Sequence, residues 1–249
     1  MEWGLAGAQA ITPGADVAVI VDVLRFTTAV TVAIDGGTAV YPYQWDDESA
    51  QEYAREHHAT LAVGRLEAQE AGSTGSAVSL SPASLRSAAG LARIVLPSPN
   101  GSALAFTLAG NGTPVIAAAF RNRAAVARWI ARLAEGTVPA DRGATIAVIA
   151  AGERWSDGSL RLAVEDLWGA GAVIAALSEL GIGDQSPEAW AAEATFRSVE
   201  ESLAIELTDC TSGQELAAKG FSDDVDIAAE LDTSNSVPVL IRERFVNAG

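Results

Sequence analysis

Residues Val17–Val30 read VAVIVDVLRFTTAV. Five apolar residues, mostly β-branched, run into Asp22, and Pro13-Gly14 bounds the run upstream. A short run of that kind, Asp16–Val23, is expected to be a buried strand. After the turn, Thr27–Asp35 is expected to form a helix closed by Gly36-Gly37. An apolar strand without polar alternation, feeding a helix, belongs to a sheet covered on both faces. Asp22 and Arg25 stand at the junction. Charges so close to a buried run must be paired, bind a ligand or lie at the mouth of the core.

Outward from this unit the pattern repeats. Thr38–Tyr43, Ala59–Val63, Ala92–Leu96, Pro114–Ala118, Ala144–Ala150 and Val237–Arg242 read as further strands. Between them Asp46–His57 (capped by Asp46), Pro82–Ala89, Ala103–Leu108, Arg121–Leu133, Leu162–Leu180, Ser186–Ser202 and Cys210–Lys219 read as helices. Gly64–Ser81 is a Gly- and Ser-rich loop, Glu153–Arg161 a polar loop, and Asp223–Glu230 fits no single element. Strands alternating with helices predict a three-layer α/β/α fold with a largely parallel or mixed sheet. Residues 1–249 read as a single α/β domain, any subdomain seam falling at 136–143.

The chain has 249 residues, 49% of them hydrophobic, enough for a large core. Lys and Arg number 16 against 32 acidic residues, a formal net charge of -16. That balance argues against nucleic acid, which needs a positive footprint, and against an anionic membrane surface. A small anionic substrate would need a local basic pocket or a metal ion. Cys210 is the single cysteine, so no internal disulfide forms, in keeping with a reducing cytoplasm. The opening residues, MEWGLAGAQAITPGAD, lack the basic and long apolar segments of a signal peptide, and no apolar run reaches membrane-spanning length. A cytoplasmic location is expected, with a homodimer as the partner arrangement left open.

In an open α/β sheet, ligands bind beyond the carboxyl ends of the strands. The residues after the predicted strands are Asp22, Arg25, Thr27 and Thr28; Gly64, Arg65 and Glu67; Ser98, Asn100, Gly101 and Ser102; Phe120, Arg121 and Asn122; and Gly152, Glu153 and Arg154, followed by Glu165 and Asp166. They are expected to share one rim. Asn-Gly-Ser before a helix offers backbone N–H groups to an anion. Arg25, Arg65 and Arg121 offer forked donors for phosphate, sulfonate or carboxylate. Asp22, Glu153, Glu165 and Asp166 are hard oxygen ligands of the kind magnesium takes. Together they suggest metal-assisted chemistry at a phosphate ester. Each has a plainer reading: Asp22–Arg25 as a structural ion pair, Asn100-Gly101 as a tight turn, Glu165-Asp166 as acids favoured in a first helical turn. His57-His58 lack ligand spacing, and Cys210 reads as a packed residue. No phosphate-loop lysine motif and no Gly-x-Ser-x-Gly elbow occurs.

The segments VDVLRFTTAV, LPSPNGSAL, AAFRNRAAVA, IAVIAAGE, LAVEDLWGAGAVIAAL and DDVDIAAELDTSNSVPVL stand in an order and spacing that resembles the 2-phosphosulfolactate phosphatase family, from Asp16 to about Leu240. The resemblance implies a three-layer α/β/α fold with a mixed sheet. It also implies a Mg²⁺-dependent phosphatase that converts 2-phospho-3-sulfolactate to 3-sulfolactate and phosphate, a step of coenzyme M biosynthesis in archaea. The family's Asp-Val-Leu-Arg-x-Thr-Thr signature falls on Asp22–Thr28. Its Thr-Asn-Gly-Thr falls on Pro99–Ser102, with Pro and Ser at the ends, and its Glu-Asp followed by Ala-Gly falls on Glu165, Asp166, Ala170 and Gly171. The sequence departs after the third predicted strand, where Gly64-Arg65-Leu66-Glu67 replaces Gly-Glu-Arg and Ala68–Ser79 is short and poor in aromatics. On this likeness Mg²⁺ is held by Asp22, Glu165 and Asp166 with Glu153 as a further ligand. Arg25, the Asn100–Ser102 amides and Asn122 bind the phosphoryl oxygens, and Arg65 or Arg121 faces the acidic tail. Water activated at the metal, or Asp22 itself, attacks phosphorus. The rival reading is a non-catalytic anion- or nucleotide-binding α/β domain.

Overall fold

The computed structural model describes residues 1–44, 47–63, 78–88, 90–110, 112–137 and 142–249. Its elements in chain order are β1 (Glu2–Trp3), α1 (Gly4–Ile11), β2 (Val17–Val21), α2 (Phe26–Asp35), β3 (Ala39–Tyr43), α3 (Glu48–Glu56), β4 (Thr60–Leu61), α4 (Pro82–Ser87), β5 (Arg93–Pro97), α5 (Gly101–Leu108) and β6 (Val115–Ala118). A 3₁₀ turn, Phe120–Asn122, leads to α6 (Arg123–Thr137), β7 (Ile146–Ala150), the short pair β8 (Glu153–Arg154) and β9 (Leu160–Arg161), and α7 (Val164–Glu179). The chain ends with α8 (Pro187–Val199), a second 3₁₀ turn, α9 (Leu203–Asp209), α10 (Thr211–Ala218), α11 (Ser222–Ala228), β10 (Pro238–Ile241) and β11 (Arg244–Asn247).

Nine strands form one mixed sheet in the order β1-β7-β2-β6-β10-β11-β3-β5-β4. β1, β7, β2 and β6 are mutually parallel, as are β3, β5 and β4. The antiparallel hairpin β10–β11 separates the two groups. It joins them through single residue pairs, Val239–Ile116 and Phe245–Val40. A joint of one pair constrains the angle between strands weakly, so a sheet can twist sharply there.

Every residue of β2 is buried. Val17, Val19 and Val21 enter one core with α6, α7, α8, α9 and α10, while Ala18 and Ile20 enter the other with α1, α2, α4 and α5. That two-sided burial explains the unbroken apolar run, and each buried Val or Ile stabilises the fold by about 1.5–3 kcal/mol. On the outer face α7 meets α8 so closely that a Cβ on Gly171 would stand 2.1 Å from the Ala192 carbonyl oxygen.

The expected α/β/α layering is present, with differences of detail. Asp46 lies outside the described residues; Asp47 caps α3, its side chain accepting the Ser49 N–H at 2.9 Å. Leu203–Asp209, unassigned from sequence, is a helix, and the predicted polar loop Glu153–Arg161 folds into the small β8–β9 hairpin. The terminal strand is a hairpin because Arg242 turns the chain at φ 59°. Residue 89 and the centre of the 136–143 seam lie outside the described residues.

Candidate active site

The turn after β2 is locked before any function is considered. The Thr27 hydroxyl accepts the Asp22 N–H at 3.0 Å and donates to the Asp22 carbonyl at 2.8 Å. The Thr28 hydroxyl donates to the Val23 carbonyl at 2.7 Å. Both threonines therefore brace the loop that carries Asp22 and Arg25. The Asp22 side chain is buried, with Oδ1 accepting the Phe26 N–H at 3.1 Å and Oδ2 the Gly101 N–H at 2.8 Å. The second bond brings the start of α5 against the end of β2. Gly101 is required by this approach, since a Cβ there would lie 2.3 Å from Phe26 Cδ1 and 2.7 Å from Asp22 Oδ2.

Asn100 occupies the N-cap of α5 without capping it. Its side-chain amide instead donates to Glu153 Oε2 at 2.9 Å, which ties the segment after β5 to the segment after β7. Ser102 donates its hydroxyl to the Leu96 carbonyl at 2.6 Å and so anchors α5 to β5. Asp166 closes the third side. Its Oδ1 accepts the Val23 N–H at 2.7 Å and its Oδ2 the Gly152 N–H at 2.8 Å. One buried carboxylate thereby clamps the loops after β2 and β7 together. Glu165, its neighbour in the first turn of α7, is also buried.

The segments after β2, β5 and β7, with the start of α7, thus converge on one place: Asp22, Arg25, Asn100, Gly101, Glu153, Glu165 and Asp166. Arg121 and Asn122, which follow β6, face elsewhere. Arg121 pairs with Asp35 at 3.0 Å and with Glu230. Asn122 accepts the Ala119 N–H at 2.9 Å and donates to the Ala117 and Ser236 carbonyls. Arg65 and Glu67, with most of the 64–81 loop, lie outside the described residues.

The electrostatics of the cluster are unbalanced. Burial raises the Asp22 carboxyl above the usual range, against the pull of its two N–H partners and of Arg25. Burial, then the negative charge of Asp22, raises Glu153. Asp166 is raised well above an ordinary aspartate by burial and by repulsion from Asp22 and Glu165. The cation among them, Arg25, is pulled down by burial and held by Asp224, Asp22 and Glu153. Arg25 Nη1 is buried and makes no hydrogen bond among the described residues. As the side chains stand, no group of three or more His, Cys, Asp or Glu among the described residues is placed to hold a metal ion.

The comparisons with known proteins meet this geometry. The family model for 2-phosphosulpholactate phosphatase matches residues 8–243. The chain belongs to the 2-phosphosulfolactate phosphatase family. A probable 2-phosphosulfolactate phosphatase of Deinococcus radiodurans is 30% identical over 238 residues, covering 94% of this chain and 91% of the relative. Proteins of the same description from Thermotoga maritima and Thermotoga petrophila are 27% and 28% identical over 231 residues, covering 92% of this chain and 91% of each relative. The chain is therefore a phosphoric monoester hydrolase. In this cluster the two family signatures noted at Asp22–Thr28 and Glu165-Asp166 meet through the Asp166 to Val23 bond.

Sequence reading overlooked two neighbours of the site. Asp224 lies in the DDVDIAAELDTSNS segment, whose order carried part of the resemblance but no role. Arg161 pairs across the small hairpin with Glu153 and lies over the Trp155 ring at 5.6 Å. The available signal was a buried acid within an acidic run, which a pattern of acids alone does not distinguish from a solvated one.

Proposed function

We propose that this chain hydrolyses 2-phosphosulfolactate to 3-sulfolactate and phosphate in a Mg²⁺-dependent reaction, the water supplying the new P–O bond and the proton of the released alcohol. The observation that carries the reading is the buried Arg25 guanidinium, with an uncommitted Nη1, in the charge field of Asp22 and Glu153. Burial raises Asp22, Glu153 and Asp166, so the charge of a hard divalent cation nearby would favour their ionised forms. Magnesium commonly takes one or two protein carboxylates, retained water and a substrate phosphate, so three converging side chains are not needed. Asp22 and Glu165 would hold it. Bound there, it would neutralise charge on the phosphoryl group.

The residues of the chain do the rest. Arg25 donates through Nη1 to a phosphoryl oxygen, and the first-turn N–H groups of α5 after Gly101, which lack intrahelical acceptors, supply further donors. Both Asp22 oxygens accept backbone N–H bonds, which hold the carboxylate in place and lower its nucleophilicity, so water rather than Asp22 is the attacking group. The alkoxide of a 2-hydroxy acid is a poor leaving group and needs a proton. Glu153 keeps a proton more readily than an ordinary glutamate and faces the site through Asn100. On this reading Glu153 is the general acid.

The test is phosphate release from 2-phosphosulfolactate and a panel of 2-phospho acids, with Mg²⁺ and with excess chelator. Release that depends on Mg²⁺ is expected, with the sulfonated substrate preferred. Silence toward every ester from folded, Mg²⁺-supplied protein would return the site to a binding role.

A further inference from the structure

Asn100 and Glu153 do more than join two loops by their 2.9 Å hydrogen bond. Both also line a pocket of about 190 Å³. The start of α1, α5, the residue after β7 and the β8–β9 hairpin form the rest of its wall. Its apolar lining comes from Trp3, Leu5, Ala6, Leu104, Ala151 and Leu160. Asp22 and Arg25 do not line it, so the pocket adjoins the site through Asn100 and Glu153.

The wall is built rather than incidental. Leu160 lies against Gly152, which stands at φ 68°, and a Cβ there would come within 2.7 Å of Leu160 Cδ1 and 3.0 Å of the Arg161 carbonyl oxygen. Arg154, the cation on the wall, is already committed. Its Nη1 donates to the Gly158 carbonyl at 3.3 Å and its Nη2 to the Pro99 carbonyl at 3.2 Å, which ties the hairpin to the segment after β5. With that cation engaged and Glu153 beside it, an anion gains little from the pocket, whereas an apolar group gains by leaving water. Size narrows the class further. An apolar cavity of about 150 Å³ takes up benzene, so a pocket of about 190 Å³ has room for a phenyl ring or a branched alkyl group.

We propose that this pocket receives an apolar substituent of the leaving alcohol, so that the chain also hydrolyses 2-phospho acids whose tail is a phenyl or branched alkyl group. The inference rests on the phosphatase reading and on Glu153 as its general acid. A general acid lies within hydrogen-bond reach of the oxygen it protonates. Whatever that oxygen carries therefore begins beside Glu153, a residue that the pocket shares. Water forms the new P–O bond, and the ester P–O bond breaks. Its oxygen leaves as the alcohol with the proton of Glu153, and a proton lost by the attacking water restores that residue. The tail takes no part in the chemistry and contributes binding alone.

The experiment measures phosphate release, with Mg²⁺ supplied, from 2-phospho-3-phenyllactate and from 2-phospholactate, which carries a methyl group in place of the benzyl group. It uses wild type, Ala6→Phe and Leu160→Ala, with thermal unfolding as the check on folding. In wild type, kcat/KM for the phenyl ester is expected to exceed that for the methyl ester by roughly 10- to 200-fold, the scale on which a hydrophobic pocket discriminates. Ala6→Phe fills the pocket and Leu160→Ala strips part of its wall, so each is expected to lower that ratio by about tenfold. A disturbance of the fold alone would slow both esters alike and leave the ratio in place. A wild-type ratio below about 10, or a ratio that neither folded variant lowers, would overturn the inference. Ala6 is exposed and Leu160 is 43% exposed, so both positions tolerate change, and if one variant does not fold the other decides. Silence toward both esters from folded, Mg²⁺-supplied wild type would instead remove the phosphatase reading itself, a result distinct from release without a preference for the phenyl tail.

Discussion

Replacing Gly101 with alanine puts a methyl group where the structure has no room. The new Cβ would stand 2.3 Å from Phe26 Cδ1, 2.8 Å from Phe26 Cβ and 2.7 Å from Asp22 Oδ2. Phe26 is buried and packs edge-on against Phe245 with ring centroids 6.2 Å apart, so its ring has little space to retreat. Relief has two routes. Either the core around Phe26 repacks, at about 1–3 kcal/mol, or α5 moves away and stretches the Gly101 N–H bond to Asp22, at about 1.5–3 kcal/mol for a bond to a charged group. Either route predicts a loss of about 2 kcal/mol, which for a chain of this length lowers the unfolding temperature by roughly 4–8 °C. The functional loss is expected to be larger, since a displacement of about 1 Å in a positioned group costs around 100-fold in rate. Urea denaturation and phosphate-release kinetics on the folded variant measure the two effects. A Gly101→Ala protein with wild-type stability and turnover would show that α5 does not approach Asp22 this closely, and the site would have to be redrawn.

Raised carboxyl groups set a pH dependence with a definite sign. The folded values of Asp22, Glu153 and Asp166 lie above their ordinary ones, so the folded state binds more protons than the unfolded state across that window. Stability contributed by these groups is therefore present at low pH and lost as pH rises from roughly 4 through the raised values. In metal-free protein, Asp166→Asn should flatten this decline, read as the urea midpoint between pH 4.5 and 8; an unchanged slope would contradict the burial of the Asp166 charge. Arg121→Ala should leave phosphate affinity intact but cost roughly 1–3 kcal/mol, because its partners Asp35 and Glu230 keep 31% and 30% of their side-chain exposure and are only partly stranded. A selective loss of phosphate binding would instead move Arg121 into the site. Gly171→Ala should push α7 from α8 and lower stability by about 1–3 kcal/mol without a change in KM, and a neutral effect on thermal unfolding would refute the close packing at Ala192.

The layered architecture was legible because burial leaves its mark residue by residue. β2, β6 and β7 are apolar throughout, and β5 is apolar after Arg93, since both faces of the sheet are covered, and their helices close at glycines or turns that the chain spells out. Very short elements were not legible. β1 and the β8–β9 pair are two residues long, below any periodicity, and exist because β1 pairs with β7 and β8 with β9. β11 follows a two-residue turn, Arg242-Glu243, in which Arg242, a residue with no turn preference, stands at φ 59°.

The site divided along the same line. By itself the sequence determined which residue types could do the chemistry, because acids, amides and arginines interrupt apolar runs where strands end. Asp22, Arg25, Asn100, Glu153, Glu165 and Asp166 were all visible in that way. Only the tertiary structure decided which of those ends meet. Strand order is set by pairings such as Val239–Ile116 and Phe245–Val40, made by a hairpin at the far end of the chain. Those contacts join residues more than a hundred positions apart, and no local pattern encodes them. They leave Arg121 bound to Asp35 and Glu230 and bring Gly101 to Asp22. The chemistry of a side chain belongs to its residue, whereas its neighbours are a property of how the whole core packs.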